Sequence, residues 1–86
     1  LIGFSKSLSR ELGKANITVN CIAPGYMATE MTSDLQGEKL ASIIRRSPMK
    51  KLATPNDVAH AVSYLLSDDA SLVTGTTITV DAGSTA

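Results

Sequence analysis

Cysteine and histidine occur once each in this 86-residue sequence, and its eight basic and eight acidic side chains cancel. The single Cys21 excludes an internal disulfide, and no Cys/His cluster with metal-ligand spacing exists, so no metal site is expected. Balanced charge gives no reason to expect nucleic acid or an anionic membrane as partner. No apolar run approaches the roughly 18 residues needed to span a bilayer, and no signal peptide is visible. The lone thiol favours a reducing compartment, and the cytoplasm is the expected one. There is no phosphate-binding glycine loop and no Ser-His-Asp arrangement. His60 has Asp57 and Tyr64 as near helical neighbours, which points to surface pairing rather than catalysis.

The first residue is not methionine, and the opening stretch LIGFSKSLSREL has no capping residue ahead of it. Leu1, Phe4, Leu8 and Leu12 nonetheless recur at helical spacing and place an apolar stripe on one face. Gly13 suits the left-handed residue that closes such a helix. ITVNCI, Ile17 to Ile22, is apolar and β-branched with almost no charge. It reads as a short strand covered on both faces, with Cys21 a plain buried thiol, and it halts at Ala23-Pro24-Gly25.

A short helix fits Glu38 to Arg46, with Leu40, Ile43 and Ile44 on one side, and Ser47-Pro48 ends it. TPND follows as the clearest local signal: Thr54 as N-cap, Pro55 at the first helical position and Asp57 as capping-box acid. The helix it opens carries Val58, Ala61, Val62, Leu65 and Leu66 on one stripe. Thr76 to Val80 is a second, β-branched strand between Gly75 and Gly83.

Two strands separated by more than fifty residues containing helices predict a parallel α/β crossover. Apolar content of 43% with 19% charge fits a globular segment, yet two strands cannot shield the stripes of three helices. Burying each large apolar side chain is worth roughly 1.5–3 kcal/mol only where a sheet receives it. The expectation is one piece of a broader sheet.

In open α/β sheets, ligands bind beyond the carboxyl ends of the strands, where Pro24-Gly25 and YMATEMT lie. Gly25 would let a ligand approach the backbone, and the Thr29 hydroxyl could donate to a phosphate or amide oxygen. An ordinary strand-ending turn explains the same residues. Met27, Met31 and Leu35 suit either an adaptable apolar pocket or core. Arg45, Arg46, Lys50 and Lys51 form a basic run that is by default a solvated patch.

LIGFSKSLSREL, ITVNCIAPGYMATEMT and ATPNDVAHAVSYLLSDDASLVTGTTITVDAG together resemble the C-terminal third to half of a short-chain dehydrogenase/reductase. The specific pieces are VN ahead of APG, Thr29 four positions after Gly25, and TG followed after five residues by Asp81. The resemblance implies a doubly wound parallel (Rossmann) sheet, with residues 1–86 as the C-terminal part of a single domain. Its N-terminal dinucleotide-binding half is absent from this chain. Within the family it is nearest to bacterial members that reduce 3-oxoacyl thioesters on acyl carrier protein with NADPH, in fatty acid synthesis. NADH is the alternative dinucleotide, and a homotetramer the implied assembly.

The family's active site uses a Ser, and a Tyr followed four residues later by Lys. Tyr26 has Glu30 at that position and Tyr64 has Asp68, so no catalytic residue is assigned within this chain. The fragment alone is expected to be inactive. What carries over is the nicotinamide side: Pro24 and Gly25 beside the ring, the Met27 backbone on its carboxamide, and Thr29 on the carboxamide or pyrophosphate. Glu30 to Arg46 matches the family's substrate lid, so Met31 and Leu35 would touch the acyl chain. The opening helix and closing strand match the family's dimer surfaces. Two alternatives stand: a short-chain dehydrogenase for another alcohol or ketone, and a non-catalytic module serving binding or assembly.

Overall fold

The computed structural model describes residues 1–25 and 37–86. Among the described residues five regular elements follow in order: α1 (Ile2–Leu12), β1 (Cys21–Pro24), α2 (Gly37–Arg46), α3 (Pro55–Leu65) and β2 (Thr77–Val80). Short 3-10 turns cover Gly13–Ala15 and Asp68–Ala70. β1 and β2 pair in parallel, with Cys21 opposite Thr77 and Pro24 opposite Val80. The helices between them make the crossover that parallel pairing requires.

β1 begins four residues later than the ITVNCI pattern predicts and runs through Pro24 rather than stopping before it. The late start has a local cause. Opposite Ile17–Asn20 lies the Val73–Gly75 turn, in which Gly75 takes φ +72° and cannot continue an extended ladder. Side chains bridge the gap: Val19 N–H donates to Thr74 Oγ1 at 3.0 Å, and Asn20 Nδ2 to the Val73 carbonyl at 2.9 Å. Asn20 Oδ1 then accepts from Thr76 N–H at 3.1 Å, bringing β2 into register. At the other end, Cys21 and Gly25 donate to the Thr76 and Val80 carbonyls, at 2.9 and 3.1 Å. Successive N–H groups alternate sides along a strand, so the donor that Pro24 lacks would have faced away from β2.

α1 does not end on a left-handed Gly13, whose φ is −58°. The chain continues into the 3-10 turn and reverses at Asn16 instead, at φ 60°. Asparagine tolerates that conformation because its short polar side chain bonds locally. The buried side of α1 also differs from the predicted stripe: Ser5 and Ser9 are buried, while Leu1 and Phe4 are 94% and 67% exposed. A Cβ on Gly75 would fall 2.9 Å from Ser9 Oγ, so the helix comes close to this turn through a small side chain, and Lys6 Nζ donates to the Gly75 carbonyl at 2.8 Å. Ser5 Oγ lies 2.9 Å from Cys21 Sγ, and Cys21 is half-buried rather than fully buried.

The capping box at TPND forms as read. Thr54 N–H donates to Asp57 Oδ2 at 2.8 Å, and Asp57 N–H to Thr54 Oγ1 at 3.2 Å. α3 lies against both strands, with Val58, Ala61 and Leu65 half-buried. Val62 and Leu66, expected on the same stripe, are exposed, Leu66 at 83%. Among the described residues the fully buried apolar side chains are two alanines, Ala53 and Ala70. The two-stranded sheet receives only the near edge of each helical stripe.

Candidate functional site

β1 and β2 end side by side, so the residue after each strand meets the residue after the other. Gly25 follows β1 and Asp81 follows β2. A Cβ built on Gly25 would lie 3.2 Å from Asp81 Cα and only 2.6 Å from Asp81 Cβ, the second a distance that no side chain tolerates. Glycine is therefore required here by the neighbouring strand end, before any ligand is considered.

Asp81 is itself almost fully buried and organises the terminal turn. Its Oδ1 accepts from Gly83 N–H at 2.9 Å, while Oδ2 accepts from Thr85 N–H at 3.0 Å and Thr85 Oγ1 at 2.6 Å. The Thr85 hydroxyl holds the Asp81 carboxyl below its ordinary value. Loss of solvation opposes this, and the Gly83 and Thr85 N–H groups reinforce it. The turn is closed by Ala82 at φ 56° and Gly83 at φ 91°. The Ala82 carbonyl accepts from Ser47 Oγ and from Met49 N–H, each at 3.2 Å, which ties the end of α2 to the end of β2.

Pro24, Gly25, Asp81, Ser84 and Thr85 line an open cavity of about 380 Å³ at the carboxyl edge of the sheet. A larger hollow of about 690 Å³ lies on the other side of Asp81 and Thr85, bounded by Met49, Leu52 and the start of α3. The smaller one sits where parallel α/β sheets bind ligands. Of the residues singled out in the sequence, Pro24 and Gly25 lie there, both exposed. Met27, Thr29, Met31 and Leu35 lie outside the described residues. Among the described residues no group of His, Cys, Asp and Glu is arranged to hold a metal ion. His60 sits exposed on α3, where its charge helps lower the Asp57 carboxyl. The four residues of the basic run are exposed.

Sequence reasoning had Asp81 only as the end of a motif and did not pair it with Gly25. The available signal was register: TG-x5-D and APG each place a residue one step beyond a strand, and parallel pairing makes those residues neighbours.

A family model described as Enoyl-(Acyl carrier protein) reductase matches residues 1–85. The chain belongs to this family, the short-chain dehydrogenase/reductases. A 3-oxoacyl-(acyl-carrier-protein) reductase of Haemophilus influenzae is 47% identical over 83 residues, covering 96% of this chain and 34% of the relative. Nodulation protein G of Rhizobium meliloti is also 47% identical, with the same coverage. The crystal structure of a 3-oxoacyl-(acyl-carrier-protein) reductase from Brucella melitensis superposes with a TM-score of 0.94 at 41% identity. It is matched over 99% of this chain and 32% of its own. The chain thus spans about a third of the length of the relatives it matches. The parallel α/β segment of the reductase fold is shared throughout, as expected of part of a Rossmann sheet. The names of these relatives differ, however, between enoyl, 3-oxoacyl and nodulation proteins, so shared fold does not carry one substrate with it.

Proposed function

We propose that the full-length protein containing this segment reduces a 3-oxoacyl thioester, carried on acyl carrier protein, to the 3-hydroxyacyl thioester. NADPH is the dinucleotide, with NADH as the alternative. Support comes from 47% identity to a 3-oxoacyl reductase across almost the whole chain, together with one structural observation. That observation is the cavity where Pro24 and Gly25 meet Asp81, beyond the carboxyl ends of two parallel strands.

The residues present suit a nicotinamide. The Pro24 ring and the bare Gly25 backbone offer a flat, uncharged surface, and the neighbouring Asp81 carboxylate is already engaged by its own turn. In this reading Pro24 and Gly25 flank the ring, the Met27 backbone reads the carboxamide, and Thr29 holds the carboxamide or pyrophosphate. Met31 and Leu35 contact the acyl chain. The bound dinucleotide would supply hydride to the substrate carbonyl, and the proton-donating Tyr, its Lys and the pyrophosphate loop belong to the rest of the protein. Residues 1–86 form the C-terminal part of one Rossmann-type domain, and the exposed apolar faces of α1 and α3 are covered by that domain and by neighbours in a cytoplasmic homotetramer. Among the described residues no helix is long and apolar enough to cross a membrane.

The test is NADPH oxidation by the full-length protein with an acetoacetyl thioester. Turnover of a sugar or steroid alcohol in its place would move the assignment to another short-chain dehydrogenase, the reading that the divergent names of the relatives keep open. The other alternative, an isolated non-catalytic fragment serving only binding or assembly, predicts that these 86 residues fold alone and bind no dinucleotide.

A further inference from the structure

We infer that Asp81 is a positioning residue for the Pro24–Gly25 wall: its carboxylate locks the terminal turn, and its backbone and Cβ set where Gly25 sits. The inference deepens the proposed cofactor site and rests on that reading for its effect on dinucleotide binding. Its structural half stands on contacts alone.

Three observations converge on Asp81. It is in van der Waals contact with Gly25 so close that no Cβ fits between them. Gly25 N–H is at the same time tied to the Val80 carbonyl at 3.1 Å, so Gly25 is held both by the strand end and by the residue after it. Lastly, the donors that fix the Asp81 side chain come from Gly83 and Thr85, and Thr85 with Ser84 forms part of the cavity wall facing Pro24 and Gly25. Moving the turn therefore moves both sides of the cavity together.

The chemistry asks for a carboxylate. Oδ1 and Oδ2 both act as acceptors, one for Gly83 N–H and the other for Thr85 N–H and hydroxyl. An asparagine has one acceptor oxygen and one NH₂ group, so it must turn a donor toward a donor on one side. One of the two bonds that close the turn is lost in either orientation. Asp81→Asn, nearly identical in size, thus tests the hydrogen bonding without changing the volume beside Gly25. Thr85→Val removes only the hydroxyl and keeps the Thr85 N–H bond.

The experiment compares the full-length protein with its D81N and T85V variants in two measurements. One is hydrogen exchange at the Gly25 amide without cofactor; the other is the dissociation constant for NADPH, read by its fluorescence, alongside KM for the thioester. Both variants are expected to speed Gly25 exchange and weaken NADPH binding, D81N by about tenfold in each and T85V by less, with thioester KM unchanged. A lowered melting temperature with unchanged Gly25 exchange and unchanged NADPH affinity overturns the inference and leaves Asp81 a purely structural residue. Should D81N fail to fold, T85V carries the same two measurements. Should the parent protein bind neither NADPH nor NADH, the proposed function fails, and Gly25 exchange alone decides whether Asp81 places Gly25.

Discussion

The Asp81 carboxylate receives its three donors from within four residues of chain, whereas Phe4 on α1 and Leu66 at the end of α3 stay 67% and 83% exposed. The terminal turn is a local structure. Its partners are neighbours in sequence, plus Ser47, Met49 and Gly25, all within the described residues. The outer faces of α1 and α3 are unfinished by the same standard, since two strands offer them only an edge. Hydrogen-bonded turns can close on themselves, but apolar stripes need area, and among the described residues the buried apolar side chains are Ala53 and Ala70.

The largest effect should come from asking the segment to stand alone. A chain of these 86 residues made by itself is expected to show no cooperative thermal transition by circular dichroism and no NADPH oxidation. Isolated two-stranded sheets are marginal, and each large side chain left in water forfeits roughly 1.5–3 kcal/mol. A sharp transition with measurable reduction would show that the exposed faces are complete as they are.

Next in size is Gly25→Ala in the full-length protein. The added Cβ meets Asp81 backbone and Cβ, neither of which is a flexible chain end, so the two strand ends must part. Overpacking of this kind costs about 1–3 kcal/mol. Denaturant unfolding should show that loss together with weaker NADPH binding, and an unchanged midpoint would mean that the strand ends give way easily.

Acid should separate the turn from the apolar faces, because the turn and the α3 cap each hold a carboxylate below its ordinary value. The Thr54 backbone N–H and then its side chain lower the Asp57 carboxyl, with the charges of His60 and Lys51 adding to this. The Thr85 hydroxyl comes first among the groups that lower Asp81. Folding depresses both values, so the unfolded chain binds more protons in the acid range. The stability these groups contribute is fully present above the ordinary carboxylate range and is lost as pH falls through the depressed folded values. Melting temperature followed down through that range should fall more steeply in the parent than in D81N. Parallel curves would deny the Asp81 bonds a part in folding.

The same contrast explains what the sequence made legible. TPND could be read to the atom, because a capping box is a bond between residues three apart and owes nothing to the rest of the fold. The parallel crossover followed from spacing alone. What escaped were contacts between distant stretches. Ser5 and Ser9 are the buried residues of α1, with Leu8 and Leu12 only half-buried, where Gly75 brings a turn close to the helix. β1 starts late because its partner is still turning at Gly75, which no pattern within ITVNCI records. Pro24 and Gly25 were singled out by their place after the first strand and by the family resemblance, while their closeness to Asp81 appears only once the register places the two strand ends together.

The smallest expected effect has the opposite sign and probes how firmly the turn holds itself. Ala82 takes φ 56°, a left-handed conformation that costs an ordinary residue roughly 1–2 kcal/mol. It is kept there because its carbonyl serves Ser47 and Met49 while the Asp81 carboxylate gathers the residues beyond it. Ala82→Gly removes the strain but widens the freedom of the unfolded chain, which cancels part of the gain. A net stabilisation of about 0.5–1 kcal/mol remains, visible as a higher denaturation midpoint at unchanged slope. If the glycine variant is instead less stable, the alanine side chain contributes packing that outweighs its strain, and the turn is held by more than hydrogen bonds.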